Sequence, residues 1–226
     1  MTEWWTYRPS DFLMFAPRTY WRLFELANAG TWPLVLVLPL PALAIWVWTA
    51  RGGVRVAAPV LAACWAFVGW AFVLERYTPI NWAAAGLAWL FFAQAIALLA
   101  WAARPATTSA GAWQRRAGHA LVGWALVIHP LLAPLQGRPW RQAEVFGIAP
   151  DPTVIATLGV LLLQPPRGAA RALWLAPGLA AAASAATLWT MGSPQGWVPA
   201  AALALTLFAS LRPGLRADRA GCLPGR

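Results

Sequence analysis

The chain carries a succession of apolar runs, at about residues 32–50, 56–74, 82–103, 118–135, 145–164, 172–191 and 197–211, separated by short arginine-bearing links. A soluble domain of this size has one core to fill and cannot bury so many runs of this length. About 18 or more apolar residues is the length that crosses a ~30 Å hydrocarbon layer as a helix. Composition agrees, since 60% of the 226 residues are hydrophobic and only 11% are charged, against about a quarter charged in soluble domains. The sequence therefore predicts an all-α integral membrane helical bundle of six or seven spans, with the lipid bilayer as its first partner. Residues 32–211 form the transmembrane domain, between an N-terminal segment (1–31) and a tail (212–226), and no length is left for a separate soluble domain.

All 17 basic residues are Arg. The absence of Lys, beside abundant Ala, Gly, Pro and Trp, fits GC-rich coding better than a chemical role. A net charge of +10 could suit nucleic acid, but the arginines sit in short loops between runs, which is the bias that orients membrane helices. Nucleic acid is therefore not an expected partner. If 145–164 crosses the bilayer, the C-terminal side holds eleven arginines against six; if it dips in and returns, twelve against five. Either arrangement places the tail in the cytoplasm, and the side of the N-terminus depends on that one segment.

Cysteine adds little. Cys64 falls within a run, Cys222 lies in the tail, and no CxxC spacing exists, so neither a disulfide nor a zinc site is expected. There is no nucleophile–base triad, phosphate loop, two-histidine metal helix or nucleotide fingerprint. No cofactor and no metal ligands are implied, and an intramembrane enzyme ranks last among the functional readings. No cleavable signal peptide is evident, because the first apolar run starts at Trp32 behind an aromatic-rich leader.

That leader is patterned. Ser10-Asp11 reads as a helix N-cap, followed by Phe12, Leu13, Phe15, Tyr20, Leu23, Phe24 and Leu26 among Arg18, Arg22 and Glu25. Pro17 is expected to divide it into two short amphipathic pieces, lying in the headgroup plane or packed on the end of the bundle. Trp32, Trp48, Trp82, Trp101, Trp174, Trp189 and Trp197 fall near run ends, as an interfacial aromatic belt requires. The tail from Arg212 is Arg-, Gly- and Pro-rich and is expected to be disordered.

The run 145–164 differs from the others. Near its start stands Pro150-Asp151-Pro152-Thr153, and proline cannot continue a helix through itself. Two readings follow. In one, Asp151 caps a helix whose first residue is Pro152, accepting from the N–H of Thr153 or Val154 near the interface. In the other, the prolines break a helix at lipid depth, and Asp151 faces a solute or ion path in which proton uptake couples to transport. His129, directly before Pro130 in the preceding run, could approach Asp151 and relay a proton, or simply bond a neighbouring helix. Gln94, Ser184 and Thr187 could complete a polar cavity or make ordinary interhelical hydrogen bonds. His119 lies on another face beside Arg115-Arg116, and Glu75-Arg76 reads as an ion pair at a span end.

Two stretches carry a family resemblance. The leader has Trp5-x-Tyr7, Asp11-Phe12-Leu13-x-Phe15, Tyr20-x-Arg22-Leu23-x-Glu25 and Asn28; the centre has Phe146-Gly147, Pro150, Pro152-Thr153 and Thr157-Leu158-Gly159 with Leu161-Leu162-Leu163. The chain resembles a domain-of-unknown-function family of small polytopic bacterial inner-membrane proteins, some of which are labelled permeases. The resemblance implies a helical inner-membrane protein with no assigned activity. Its members often carry Cys between the two prolines where this chain has Asp151, so no thiol or soft-metal role is carried over.

The reading that results is a small permease for a solute or proton, with Asp151, His129, Gln94, Pro150, Pro152 and Thr153 on its path. The alternative is a non-transporting accessory or scaffold subunit that packs on a partner membrane protein through its Trp- and Ala-rich faces.

Overall fold

The computed structural model describes residues 13–37, 39–104 and 109–211. Trp5, Tyr7, the Ser10-Asp11 cap, Phe12, Thr107, Thr108 and the tail with Cys222 lie outside them. Among the described residues the fold is an all-α membrane bundle without strands. Nine helices account for it: α1 (Pro17–Gly30), α2 (Leu34–Val37), α3 (Pro39–Ala50), α4 (Val54–Tyr77), α5 (Ala84–Ala102), α6 (Ala112–Leu135), α7 (Pro150–Leu163), α8 (Gly168–Thr190) and α9 (Pro194–Leu211).

Five of these, α4, α5, α6, α8 and α9, are long and apolar enough to cross a membrane. A sixth results if α1 and the α2–α3 pair count as one span bent by 85°. Large apolar side chains cover the outside, including Trp82, Trp89, Ile96, Trp197 and Leu211; such a surface suits lipid rather than water. Trp82 and Trp197 are exposed as belt residues should be, whereas Trp101 is buried, with the Arg55 guanidinium 4.3 Å above its ring.

Helix α7 is the segment that separates six spans from seven. Its fourteen residues rise about 21 Å at 1.5 Å each, short of a full crossing. Thirteen of the fourteen are buried, leaving only Pro150 partly open, so α7 is the central helix that the others surround. An all-round apolar helix has no surface to offer water and belongs in such a place. It packs antiparallel to α6: Gly118 lies against Gly159 and Leu163, while His129 lies near Asp151. It is antiparallel to α8 as well, where Asp151 meets Ser184 late in that helix. The chain therefore passes through the bundle along α7 and reverses after it, rather than dipping and returning.

Two ends follow from this path. Arg51, Arg55, Arg104, Arg115, Arg116, Arg167 and Arg171 share one end, tied there by Arg55 donating to the carbonyls of Trp101 and Arg104 (2.8 Å for the latter). The other end carries the links after α4, α6 and α8, with α1 packed across it through Tyr20, Leu23, Phe24 and Ala27; Phe24 sits 4.8 Å from Phe72 by ring centroids. Pro17 does not divide this helix. It occupies the first helical position, where its missing N–H is not needed. The expected Glu75–Arg76 pair is replaced by Arg76 donating to the carbonyl of Ala71.

Candidate functional site

The prolines at 150 and 152 start a helix; they do not break one. Residues 143–149 are non-helical, with a turn at Phe146–Ile148, and α7 begins at Pro150 after the extended Ala149. Pro150 and Pro152 then fall among the first N–H positions of a helix, which have no intrahelical partner anyway. The turn needs Gly147, whose φ is +80°. Thr153 secures it: its hydroxyl accepts from the Gly147 N–H at 3.0 Å and donates to the Ala149 carbonyl at 2.9 Å. Asp151 is thus not the cap. It stands in the first turn of α7, where a negative charge is favoured by the helix dipole, and its Oδ2 accepts from the Ser184 hydroxyl at 2.7 Å.

His129 sits where α6 is least regular. Wider π turns over Trp124–Ile128 give way to a tight turn at His129–Leu131. This irregularity accommodates Pro130, which cannot fit a regular helix interior, and leaves His129 only 1% exposed. Its Nε2 lies 3.3 Å from Glu144 Oε2, and its Nδ1 has no hydrogen-bond partner among the described residues. Glu144, also buried, comes from the loop before the turn. Gln195 donates to its other oxygen, Oε1, and Arg138 Nη2 lies 3.9 Å from the same atom. Arg138 in turn donates to Gln195 Oε1 at 2.5 Å and stacks on the Trp21 ring at 3.6 Å.

The outcome is a buried cluster of His129, Glu144 and Asp151, in which one ligand-type atom from each lies within 4.8 Å of the other two. Burying three ionisable groups together is costly unless they are bonded and paired. Here the hydrogen bonds from Ser184 and Gln195, together with Arg138, supply part of that compensation. Asp151 also lines a cavity of about 190 Å³, beside Ser184, Thr187, Tyr77, Asn81 and Tyr20. That volume holds several waters or a small solute.

The leader motif now has a structural role. Asn28 donates to the carbonyls of Arg141 and Ala143 at 2.9 and 2.8 Å, and Glu25 pairs with Arg141 at 3.1 Å. Helix α1 thereby clamps the loop that presents Glu144.

Of the residues singled out from sequence, Asp151, His129, Pro150, Pro152 and Thr153 come together at this end of the bundle. Gln94 does not. It is buried in the second half of α5, donates to the Leu173 carbonyl at 3.2 Å, and takes no part in the cavity wall. Glu144, Arg138 and Gln195 were not anticipated; the only sequence signal was a second carboxylate seven residues before Asp151, next to the Phe146-Gly147 turn. Cys64 is a buried free thiol and is not a member of the cluster.

No curated protein and no solved structure matches the chain. A family model described as a family of unknown function, DUF6064, matches residues 18–217. That range takes in the clamp, the cluster and the central helix alike, and the chain belongs to this family.

Proposed function

We propose that this protein is a small permease of the bacterial inner membrane, with its C-terminus in the cytoplasm, in which Asp151, Glu144 and His129 handle the translocated solute or a coupling proton. One observation carries this reading: a buried ionisable cluster whose Asp151 forms part of the wall of a cavity. Ionisable groups inside a membrane bundle are expensive and mark solute paths and proton relays. The N-terminal end of α7 adds its partial positive charge at the same place, as half-helix ends do in transporter sites. Orientation follows the arginine bias, because the end bearing seven described arginines is the end at which α9 finishes. A non-transporting scaffold subunit gains nothing from a cavity that has a buried acid in its wall, so the cavity favours passage over scaffolding.

The reading is tested with Asp151→Cys on a Cys64→Ser, Cys222→Ser background in sealed vesicles. A membrane-impermeant thiol reagent is expected to modify it from the face opposite the C-terminus, at a rate slowed by a solute from a small-molecule panel. Absence of modification from both faces contradicts a solute path.

A further inference from the structure

We propose that His129, Glu144 and Asp151 together bind a divalent transition-metal cation of the zinc class, which makes that cation the cargo or co-substrate of the protein. The binding stands on the cluster alone, while the role as cargo rests on the permease reading above.

The donor set is one imidazole nitrogen and two carboxylates, converging within 4.8 Å from three separate parts of the chain. A neutral imidazole and two carboxylates carry two negative charges, which matches one divalent ion. The nitrogen donor selects against magnesium and calcium, which take oxygen ligands, and suits zinc and its first-row neighbours. A tetrahedral ion with ligands at about 2.0–2.2 Å holds its donor atoms about 3.3–3.6 Å apart. His129 and Glu144 already meet that spacing at 3.3 Å, and rotation of side chains by about an ångström closes the rest.

Three further features point to an ion rather than a closed hydrogen-bond network. The buried His129 imidazole meets the cluster through Nε2, which lies against the Glu144 carboxylate, a contact that an ion seated between the two groups would replace. Both carboxylates are oriented by donors on one oxygen, Ser184 on Asp151 Oδ2 and Gln195 on Glu144 Oε1, as ligand carboxylates are oriented in metal sites. Three protein ligands also leave a coordination position free for water or a passing group, and Asp151 borders a cavity that can supply one. Arg138 near Glu144 makes the loaded site net positive by one charge, which weakens its hold on the ion, as exchange of a cargo requires.

The test is cobalt(II) and zinc binding to the purified full-length chain in detergent. The wild type is expected to take up one cobalt per chain with a visible d–d absorption band, displaced by zinc. Asp151→Cys on the Cys64→Ser, Cys222→Ser background should add a near-ultraviolet thiolate-to-cobalt charge-transfer band, which only direct ligation produces. Glu144→Gln should weaken zinc binding tenfold or more in competition with a chromophoric chelator, in protein that remains monodisperse. No cobalt band in the wild type overturns the proposal. So does wild-type binding that Glu144→Gln leaves unchanged while Asp151→Cys gives no charge-transfer band, because the ion then binds elsewhere. Zinc binding without sided thiol labelling would keep the metal site and remove its transport role; labelling without zinc binding would do the reverse.

Discussion

Substituting Gly159 with Ala probes the packing that holds the central helix in place. A Cβ at Gly159 would lie 2.7 Å from the Gly118 carbonyl oxygen, 2.8 Å from Val122 Cγ2 and 3.0 Å from the Val122 nitrogen. Carbon contacts relax at about 3.5–4.0 Å, so α6 and α7 must separate by roughly 0.8 Å. Rotamer changes cannot supply this, because two of the three atoms are backbone. Overpacking a core costs about 1–3 kcal/mol, and a backbone clash between two helices belongs at the upper end. At about 2–4 °C per kcal/mol for a chain of this length, the expected fall in Tm is about 6–12 °C, read by tryptophan fluorescence in detergent. Gly86→Ala in α5 is the control, since nothing lies within 4 Å of its Cβ position; its Tm should hold or rise slightly through helix propensity. Equal behaviour of the two variants would refute the close α6–α7 crossing.

Other consequences follow from individual contacts. Thr157→Val removes the partner of the buried Trp65 indole N–H, which donates to Thr157 Oγ1 at 2.7 Å; leaving it unbonded should cost about 1–3 kcal/mol, whereas Trp65→Phe combined with Thr157→Val should cost less than the sum of the single changes. Asn28→Ala deletes the two Asn28 bonds to the 141–143 loop and leaves the Glu25–Arg141 pair, so hydrogen exchange in that loop should quicken while the core of α7 stays protected. Arg138→Met takes the cation from buried Glu144 and should destabilise by about 3 kcal/mol, the lower end for a broken buried pair; adding Glu144→Gln should recover part of it. Unchanged thermal stability in Arg138→Met would remove Arg138 from the network.

Much of the architecture was legible in the sequence because apolar length is a local property. The runs at 56–74, 82–103, 118–135, 172–191 and 197–211 each correspond to a long helix, with ends shifted by a few residues. The prolines were harder to read. Pro17 reads as an interruption and the Pro150–Pro152 pair as either a helix start or a break, yet each stands where a helix begins, and a single sequence does not say on which side of a proline the helix lies. The nearness of His129 to Asp151 was foreseeable, since one link of chain joins their helices. Glu144 was not, because a loop acid looks solvated until tertiary contacts with Gln195, Arg138 and His129 enclose it. Gln94 shows the converse: its depth in α5 was plain, but the face it presents depends on helix rotation, and that face turns it to the Leu173 carbonyl.

The central claim is that water reaches a carboxylate buried within the bundle, and it can be tested on the unmutated chain in its membrane. Vesicles are treated with a water-soluble carbodiimide and an amine nucleophile, and the modified carboxyls are mapped by mass spectrometry. The account predicts modification at Asp151, reached through the cavity beside Tyr77 and Ser184. Modification of Asp151 only by a lipid-soluble carbodiimide, or by neither reagent, would mean a dry acid with no aqueous route and would contradict the account.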